Sequence, residues 1–231
     1  MNALILAAGF GTRLLPHTRT IPKPLFTLGG VPILKHTIDR LMACGCRRIL
    51  INTHHLSDQI TEFLACLDVG PDMDIRQVHE PRILDTGGAI ANVKDLMADD
   101  CFFVINSDVV TDIDLTDVWR FHHKNGALAT LVLHDRAPFN QVIMDADEWI
   151  TGFRSPGQGL AFTGIQVVSP DIFDLLPEEP VFSSIDWYSR LCPAKQIKAY
   201  VARDLFWEDL GTIDTYARTA RLWISARAPD A

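Results

Sequence analysis

Residues 9–23 carry groups that could hold phosphate. Gly9 and Gly11 leave a length of backbone bare, and Arg13, Arg19 and Lys23 follow on a loop stiffened by Pro16, Pro22 and Pro24. Without side chains the backbone can approach an anion closely and offer its N–H groups. The fork of Arg13 suits bidentate contact with phosphate oxygens, and Lys23 supplies a point charge. Three readings compete: a dinucleotide fingerprint, an NTPase phosphate loop, and a site for a nucleotide that is itself attacked. Spacing removes the first two. Leu14 stands where G-x-G-x-x-G needs its third glycine, and G-x-x-x-x-G-K-[ST] does not occur.

Such a loop has to be presented at the carboxyl end of a strand, where open parallel sheets bind ligands. The short apolar run ALILAA (3–8) supplies that strand. A helix opened by Pro32 and stopped at Gly45 follows, then a strand over 47–54 and a helix over 56–67 started by Ser57 and Asp58. A strand over 73–80, a helix over 85–97 and a strand over 101–108 continue the alternation. Repeated βαβ units predict a Rossmann-like, mostly parallel mixed sheet with helices on both faces. Beyond Asp114 the pattern loosens. It gives a helix over 114–124, the strand ALATLVLHD, a hairpin through 140–153 and a strand over 160–168. Helical segments near 170–176 and 184–192, a short strand near 197–202 and a helix from about 212 complete the chain. No Ser/Gly-rich linker divides it, so one domain over 1–231 is predicted.

The full loop pattern, A-A-G-x-G-T-R-L-x-P with P-K-P-L at 22–25, resembles the sugar-1-phosphate nucleotidylyltransferases. EPRILDTGGAI (80–90), VINSDVVTD (104–112), FTGIQVVSP (162–170) and FWEDLGT (206–212) are similar to further segments of that family, in order along nearly the whole chain. The resemblance implies a nucleotide-binding half over 1–112 and a sugar-phosphate-binding half over 113–231. It places the NTP on Leu6, Ala7, Ala8, Gly9, Gly11, Thr12, Arg13 and Lys23, with Thr86, Gly87 and Gly88 against the nucleoside. It gives catalytic roles to Arg13, Lys23 and Asp108, makes Asp108 and Asp209 ligands of Mg²⁺, and assigns the sugar phosphate to Asn140, Arg154, Thr163 and Gly164.

The implied chemistry is consistent with these residue types. An oxyanion of a sugar 1-phosphate attacks the α-phosphorus of an NTP and pyrophosphate leaves, so no general base is needed. The obstacle is charge repulsion, which Mg²⁺ and cationic side chains relieve. Mg²⁺ takes one or two carboxylates plus phosphate oxygens, as Asp108 and Asp209 would offer. One departure from the family bears on the substrate. Many members carry E-K-P before the sugar-side strand, where this chain has GFRSPGQG (152–159). Arg154 in place of that acidic contact favours an acceptor with an extra anion. The first expectation is therefore UTP with N-acetylmuramate 1-phosphate, a cell-wall sugar. The alternative is GTP with mannose or heptose 1-phosphate. The length matches short members of the family that lack a carboxyl-terminal β-helix domain.

Outside that class stand a nucleotide-sugar-dependent glycosyltransferase, for which Asp112-Ile113-Asp114 spells D-x-D, and a non-catalytic nucleotide sensor. A net charge of −8 argues against a nucleic-acid partner. No apolar run approaches the roughly 18 residues of a membrane span. The five cysteines lack the paired spacing of a zinc site, and no secretory signal precedes them, so a cytoplasmic protein is expected. His54-His55, His79-Glu80 and His122-His123 form no H-E-x-x-H and are read as structural. Trp207, beside Asp209, could shape a pocket or simply pack.

Overall fold

The computed structural model describes residues 1–153 and 157–225. Strand β1 (Asn2–Leu6) leads into the glycine loop. A ribbon of β2 (Thr27–Leu28) and β3 (Val31–Pro32) follows, then α1 (Ile33–Ala43). β4 (Arg48–Thr53), α2 (Ser57–Ala65) and β5 (Asp74–His79) continue the alternation. The single helix expected over 85–97 is two, α3 (Asp85–Asn92) and α4 (Lys94–Met97), because fully buried Val93 at φ −102°, ψ 9° interrupts the run.

β6 (Phe102–Asn106), a short β7 (Val109–Thr111) and α5 (Leu115–Asn125) come next. Asp114 caps α5 by accepting from Thr116 N at 2.8 Å and Asp117 N at 3.4 Å. The second half holds β8 (Ala129–His134), the hairpin β9 (Val142–Met144) and β10 (Ile150–Phe153), and β11 (Ala161–Val168). It closes with α6 (Ser184–Leu191), β12 (Ile197–Val201), β13 (Trp207–Asp209) and α7 (Ile213–Ser225).

The seven-stranded sheet runs β12-β8-β11-β6-β1-β4-β5. β11 is antiparallel to both β6 and β8, and the other neighbours are parallel. This is the mostly parallel mixed sheet expected from the sequence. Side-chain alternation along the strands feeds two cores. Ala3, Ile5, Ile49, Ile51 and Phe103 pack with Leu34, Ile38 and Ile60 on one face. Leu4, Leu50, Phe102 and Val104 pack with Ile90, Met97 and Trp187 on the other.

Two features of this frame position the site. The parallel register sets Leu6 between Asn52 and Asn106 at the carboxyl edge of the sheet. The antiparallel β7–β13 ribbon sets Asp209 opposite Val109, and Leu210 N donates to Asp108 O at 2.9 Å. A segment from the end of the chain is thereby laid beside the end of β6. Among the described residues no helix is long and apolar enough to cross a membrane.

Candidate active site

The loop after β1 is shaped to leave donors open. Gly11 sits at φ +62°, a conformation that costs an L-residue energy, and a Cβ there would lie 2.8 Å from Thr18 Cγ2. Its carbonyl accepts from Leu14 N at 2.9 Å and from Thr18 Oγ1 at 3.0 Å, which fixes the turn. The N–H groups of Gly9, Phe10 and Gly11 donate to no described residue. A row of unpaired backbone donors beside cationic side chains is a ready seat for an anion. His54 and His55 brace this region, with Nδ1 of His54 against Glu80 O at 2.7 Å and Nε2 of His55 against Thr18 O at 2.8 Å. Both are structural, as expected.

A cleft of about 360 Å³ opens over this loop. Leu6, Ala7, Ala8, Gly9, Gly11, Thr12, Arg13, Lys23, Thr86 and Asp108 of the expected set line it. Lys23 forms an ion pair with Asp108 on the cleft wall, both side chains being largely buried. The Arg13 guanidinium lies over Gly211, where a Cβ would sit 2.7 Å from Arg13 Nη2 and 2.4 Å from Asp209 Oδ1. Gly211 is thus what lets a cation and a carboxylate approach each other here.

Asp209 lies beside this cluster. Its Oδ1 is buried and has no hydrogen-bond partner among the described residues. Burial pushes the Asp209 carboxyl up, and the charge of Asp108 adds to the shift, while Lys23 and Arg13 oppose it. Two neighbouring carboxylates, one with a buried oxygen that has no hydrogen-bond partner among the described residues, form an oxygen donor set beside Lys23 and Arg13. A hard divalent ion such as Mg²⁺ fits that set.

Sequence reasoning missed part of the cleft. Asn52 Oδ1 accepts from Ala7 N at 2.7 Å, and Asn52 Nδ2 donates to Glu80 Oε1 at 2.8 Å. Glu80, only 1 % exposed, also accepts from Leu84 N through Oε2 at 3.1 Å. Ile83, Asp85, Asn106 and Ser107 complete the wall with Pro24. The signal was present, since Asn106 ends the otherwise apolar β6 and Asn52 follows the apolar run 49–51 of β4.

Several expected contacts are placed differently. Gly87 and Gly88 do not line the cleft, because both N–H groups donate to Phe182 O, at 3.0 and 3.1 Å. Their bare faces admit Phe182 and Pro180, which a Cβ would meet within 2.4–2.5 Å. Thr86 Oγ1 accepts from Ser184 N at 2.9 Å, tying α3 to α6. On the sugar side, buried Thr163 donates through Oγ1 to Val132 O at 2.9 Å, and its carbonyl accepts from Trp207 Nε1 at 3.0 Å. Gly164 sits at φ +78° within the register shift of β11, its Cα against the Asn106 side chain. Asn140 Nδ2 donates to Asp135 Oδ1 at 2.7 Å, and its Oδ1 accepts from Arg136 N at 2.8 Å, which closes a turn. Arg154 lies outside the described residues. The D-x-D residues are also engaged, with Asp112 Oδ1 accepting from Phe206 N at 2.8 Å and Asp114 capping α5. Trp207 is buried and packs.

Comparison with known proteins agrees with this geometry. A family model described as nucleotidyl transferase matches residues 2–224. The mannose-1-phosphate guanylyltransferase catalytic subunit beta of Drosophila pseudoobscura pseudoobscura is 29% identical over 236 residues, covering 97% of this chain and 63% of the relative. The mannose-1-phosphate guanyltransferase of Schizosaccharomyces pombe is 28% identical over 237 residues, covering 98% and 65%. The chain therefore spans a little under two thirds of the length of these curated relatives. Among solved structures, HddC from Yersinia pseudotuberculosis complexed with GMP-PN superposes with a TM-score of 0.79 at 23% identity, over 96% of this chain and 99% of that one. An apo UDP-glucose pyrophosphorylase gives 0.82 at 20% identity, over 99% and 100%. At such identities the two structures establish the fold, and the match of the family model over nearly every residue establishes that this chain belongs to the nucleotidyl transferase family.

Proposed function

We propose that the protein transfers a nucleoside monophosphate from an NTP to a sugar 1-phosphate, releasing pyrophosphate. The observation that carries this reading is the convergence of the open Gly9–Gly11 amides, Arg13, Lys23, Asp108 and Asp209 at one strand edge. The amides and Arg13 would seat the triphosphate. Lys23 has three donors, so it can keep its pairing with Asp108 and still present protons to phosphate oxygens. Attack by the sugar phosphate oxyanion needs no base from the protein, and the work left to it is orientation and charge neutralisation. Mg²⁺ held by Asp108 and Asp209 would offset the negative charge that builds on the α-phosphate.

For the substrates, the mannose-1-phosphate guanylyltransferase relatives support GTP with mannose 1-phosphate over the first expectation of UTP with N-acetylmuramate 1-phosphate. The latter rested on Arg154, which lies outside the described residues. Glu80 supports the same choice. Each of its oxygens accepts one hydrogen bond and has a further lone pair to offer. Guanine presents two adjacent donors, N1–H and the 2-amino group, to which a carboxylate is complementary. Uracil presents one donor between two carbonyl acceptors. Pyrophosphate release measured over four NTPs and a panel of sugar 1-phosphates should be fastest with GTP and mannose 1-phosphate. Fastest release with UTP and N-acetylmuramate 1-phosphate reverses the substrate assignment, and no release with any pair removes the reaction class. Glu80→Gln should lower the GTP-over-UTP ratio of kcat/KM by 10-fold or more, on the order of the 1–3 kcal/mol of a paired base contact.

A further inference from the structure

We propose that Asp100, Cys101 and His123 form a binding site for a soft divalent cation of the zinc class, at the end of the sheet opposite the nucleotide cleft. The sequence separates these residues, and the fold joins them. Asp100 and Cys101 immediately precede β6, and His123 lies in the last turn of α5. One ligand atom of each lies within 4.8 Å of the others. A tetrahedral ion with bonds of about 2.0–2.3 Å holds its ligands roughly 3.3–3.8 Å apart, so closure requires about an ångström of side-chain movement. Asp100 and His123 are exposed and free to make it.

Three features prepare the site. Nδ1 of His123 faces Trp119 O at 3.0 Å, and a carbonyl can only accept, so Nδ1 carries the proton and Nε2 keeps its lone pair. A backbone carbonyl on the far nitrogen is the usual support of a metal-ligating histidine. The ring also leans on Trp119, with centroids 4.6 Å apart. Asp100 Oδ1 accepts from Cys101 N at 2.7 Å, which holds the carboxylate beside the thiol and leaves Oδ2 available. The surrounding field is negative. Burial pushes the Cys101 thiol up, the Ser169 hydroxyl 3.6 Å from its sulfur opposes the shift, and the Asp100 and Asp171 carboxylates add to it. The carboxyl-terminal end of α5 contributes in the same sense. His122, the other titratable group here, points its nitrogens at Thr130 Oγ1 and Ser169 Oγ and supplies no ligand.

On binding, the Cys101 S–H bond breaks, a sulfur–metal bond forms and the proton leaves to solvent, so affinity rises with pH. Thiolate, imidazole and carboxylate together select a zinc-class ion, whereas the oxygen donors of Asp108 and Asp209 suit Mg²⁺. The five-residue strand β6 lies between Cys101 and Asp108 and spans about 16 Å, so the two sites are distinct. A cation here would staple the end of α5 to the start of β6, with its fourth position open to water.

The test uses the whole protein, stripped with a chelator and titrated with Co²⁺ in excess Mg²⁺. The expected result is one equivalent bound, with a thiolate-to-cobalt charge-transfer band that Zn²⁺ abolishes. Cys101→Ser should remove the band, and His123→Gln should weaken Co²⁺ binding by 10-fold or more. Circular dichroism checks that each variant is folded. Should Cys101→Ser fail to fold, His123→Gln, which alters an exposed ring, decides alone. No band in the wild type, or unchanged binding in His123→Gln, overturns the proposal. So does a band that survives Cys101→Ser, which would place the ion elsewhere, as at Cys44 and Cys46 with their sulfurs 3.8 Å apart.

Discussion

At the carboxyl edge of the sheet, residues 1–112 leave some of their donors open: among the described residues the Gly9–Gly11 amides lack acceptors and Arg13 forms no salt bridge. Among the described residues of 113–231, two groups expected to meet the sugar have partners within the protein, Thr163 in Val132 O and Trp207 Nε1, Asn140 in Asp135 and Arg136. The first half opens a cleft at the ends of apolar strands. The second half spends its polar residues on bending β11 and closing turns, and through β13 it delivers one carboxylate, Asp209, to the other half. The comparison teaches that residues of a shared motif can serve geometry rather than contact.

The largest effect expected is at the point where the halves meet. Asp108→Asn removes a carboxylate that is paired with Lys23 and whose charge acts on Asp209. Turnover should fall 100-fold or more, about 3 kcal/mol in the barrier. NTP affinity measured without metal should change little, because the amides and Arg13 are untouched. Near-normal turnover in the folded variant would dissolve the distinction between an open, reactive edge and a structural half.

Acid should act on the second half next. His122 is buried and its imidazole is held down to about 4, chiefly by burial and then by His123. The unfolded chain takes up the proton near the ordinary 6.5, so between the two values the unfolded state binds more protons. Stability is therefore lost as pH falls through 6.5 and the loss levels off below 4, at no more than roughly 3.4 kcal/mol. Urea denaturation from pH 7 to 4 in chelator should show this slope in the wild type and a flatter profile in His122→Asn. Equal slopes would mean that the ring is not buried neutral.

Gly211→Ala tests the junction by sterics alone. A Cβ 2.4 Å from Asp209 Oδ1 and 2.7 Å from Arg13 Nη2 forces one of them aside. Turnover should drop roughly 10- to 100-fold, since small misplacements of reacting groups cost that much. The melting temperature should change little, because Arg13 is exposed and can move. Unaltered kinetics would show that the Arg13–Asp209 approach is not used.

How much of this was legible follows from the same contrast. The glycine loop, Arg13 and Lys23 act within a short stretch, and the βαβ alternation that presents them is a matter of period, so both could be read directly. Asn52 and Glu80 reach the cleft only through the parallel register of β1, β4 and β5, which no local pattern states. Asp209 was found through the family resemblance. The β7–β13 ribbon that carries it pairs three residues with three, too short for periodicity to show. Gly87 and Gly88 lie off the cleft wall, since a glycine pair marks close approach without saying of what. Here the approaching groups are the Phe182 ring and the Pro180 carbonyl.

The smallest effect expected separates a structural threonine from a sugar contact. Thr163 is 1 % exposed, donates to Val132 O, and accepts from Ile165 N at 3.3 Å inside the bend of β11. Thr163→Val keeps the shape and removes the hydroxyl, leaving Val132 O and Ile165 N each short of a partner. One lost buried hydrogen bond costs about 1 kcal/mol, and the two acceptor and donor groups left behind set the upper end at roughly 2 kcal/mol. The loss should appear in urea denaturation, with KM for the sugar 1-phosphate within about twofold of the wild type, because the hydroxyl faces β8 rather than the cleft. A KM raised 10-fold or more with unchanged stability would return Thr163 to the binding surface, and the second half would then contribute more to the ligand than one carboxylate.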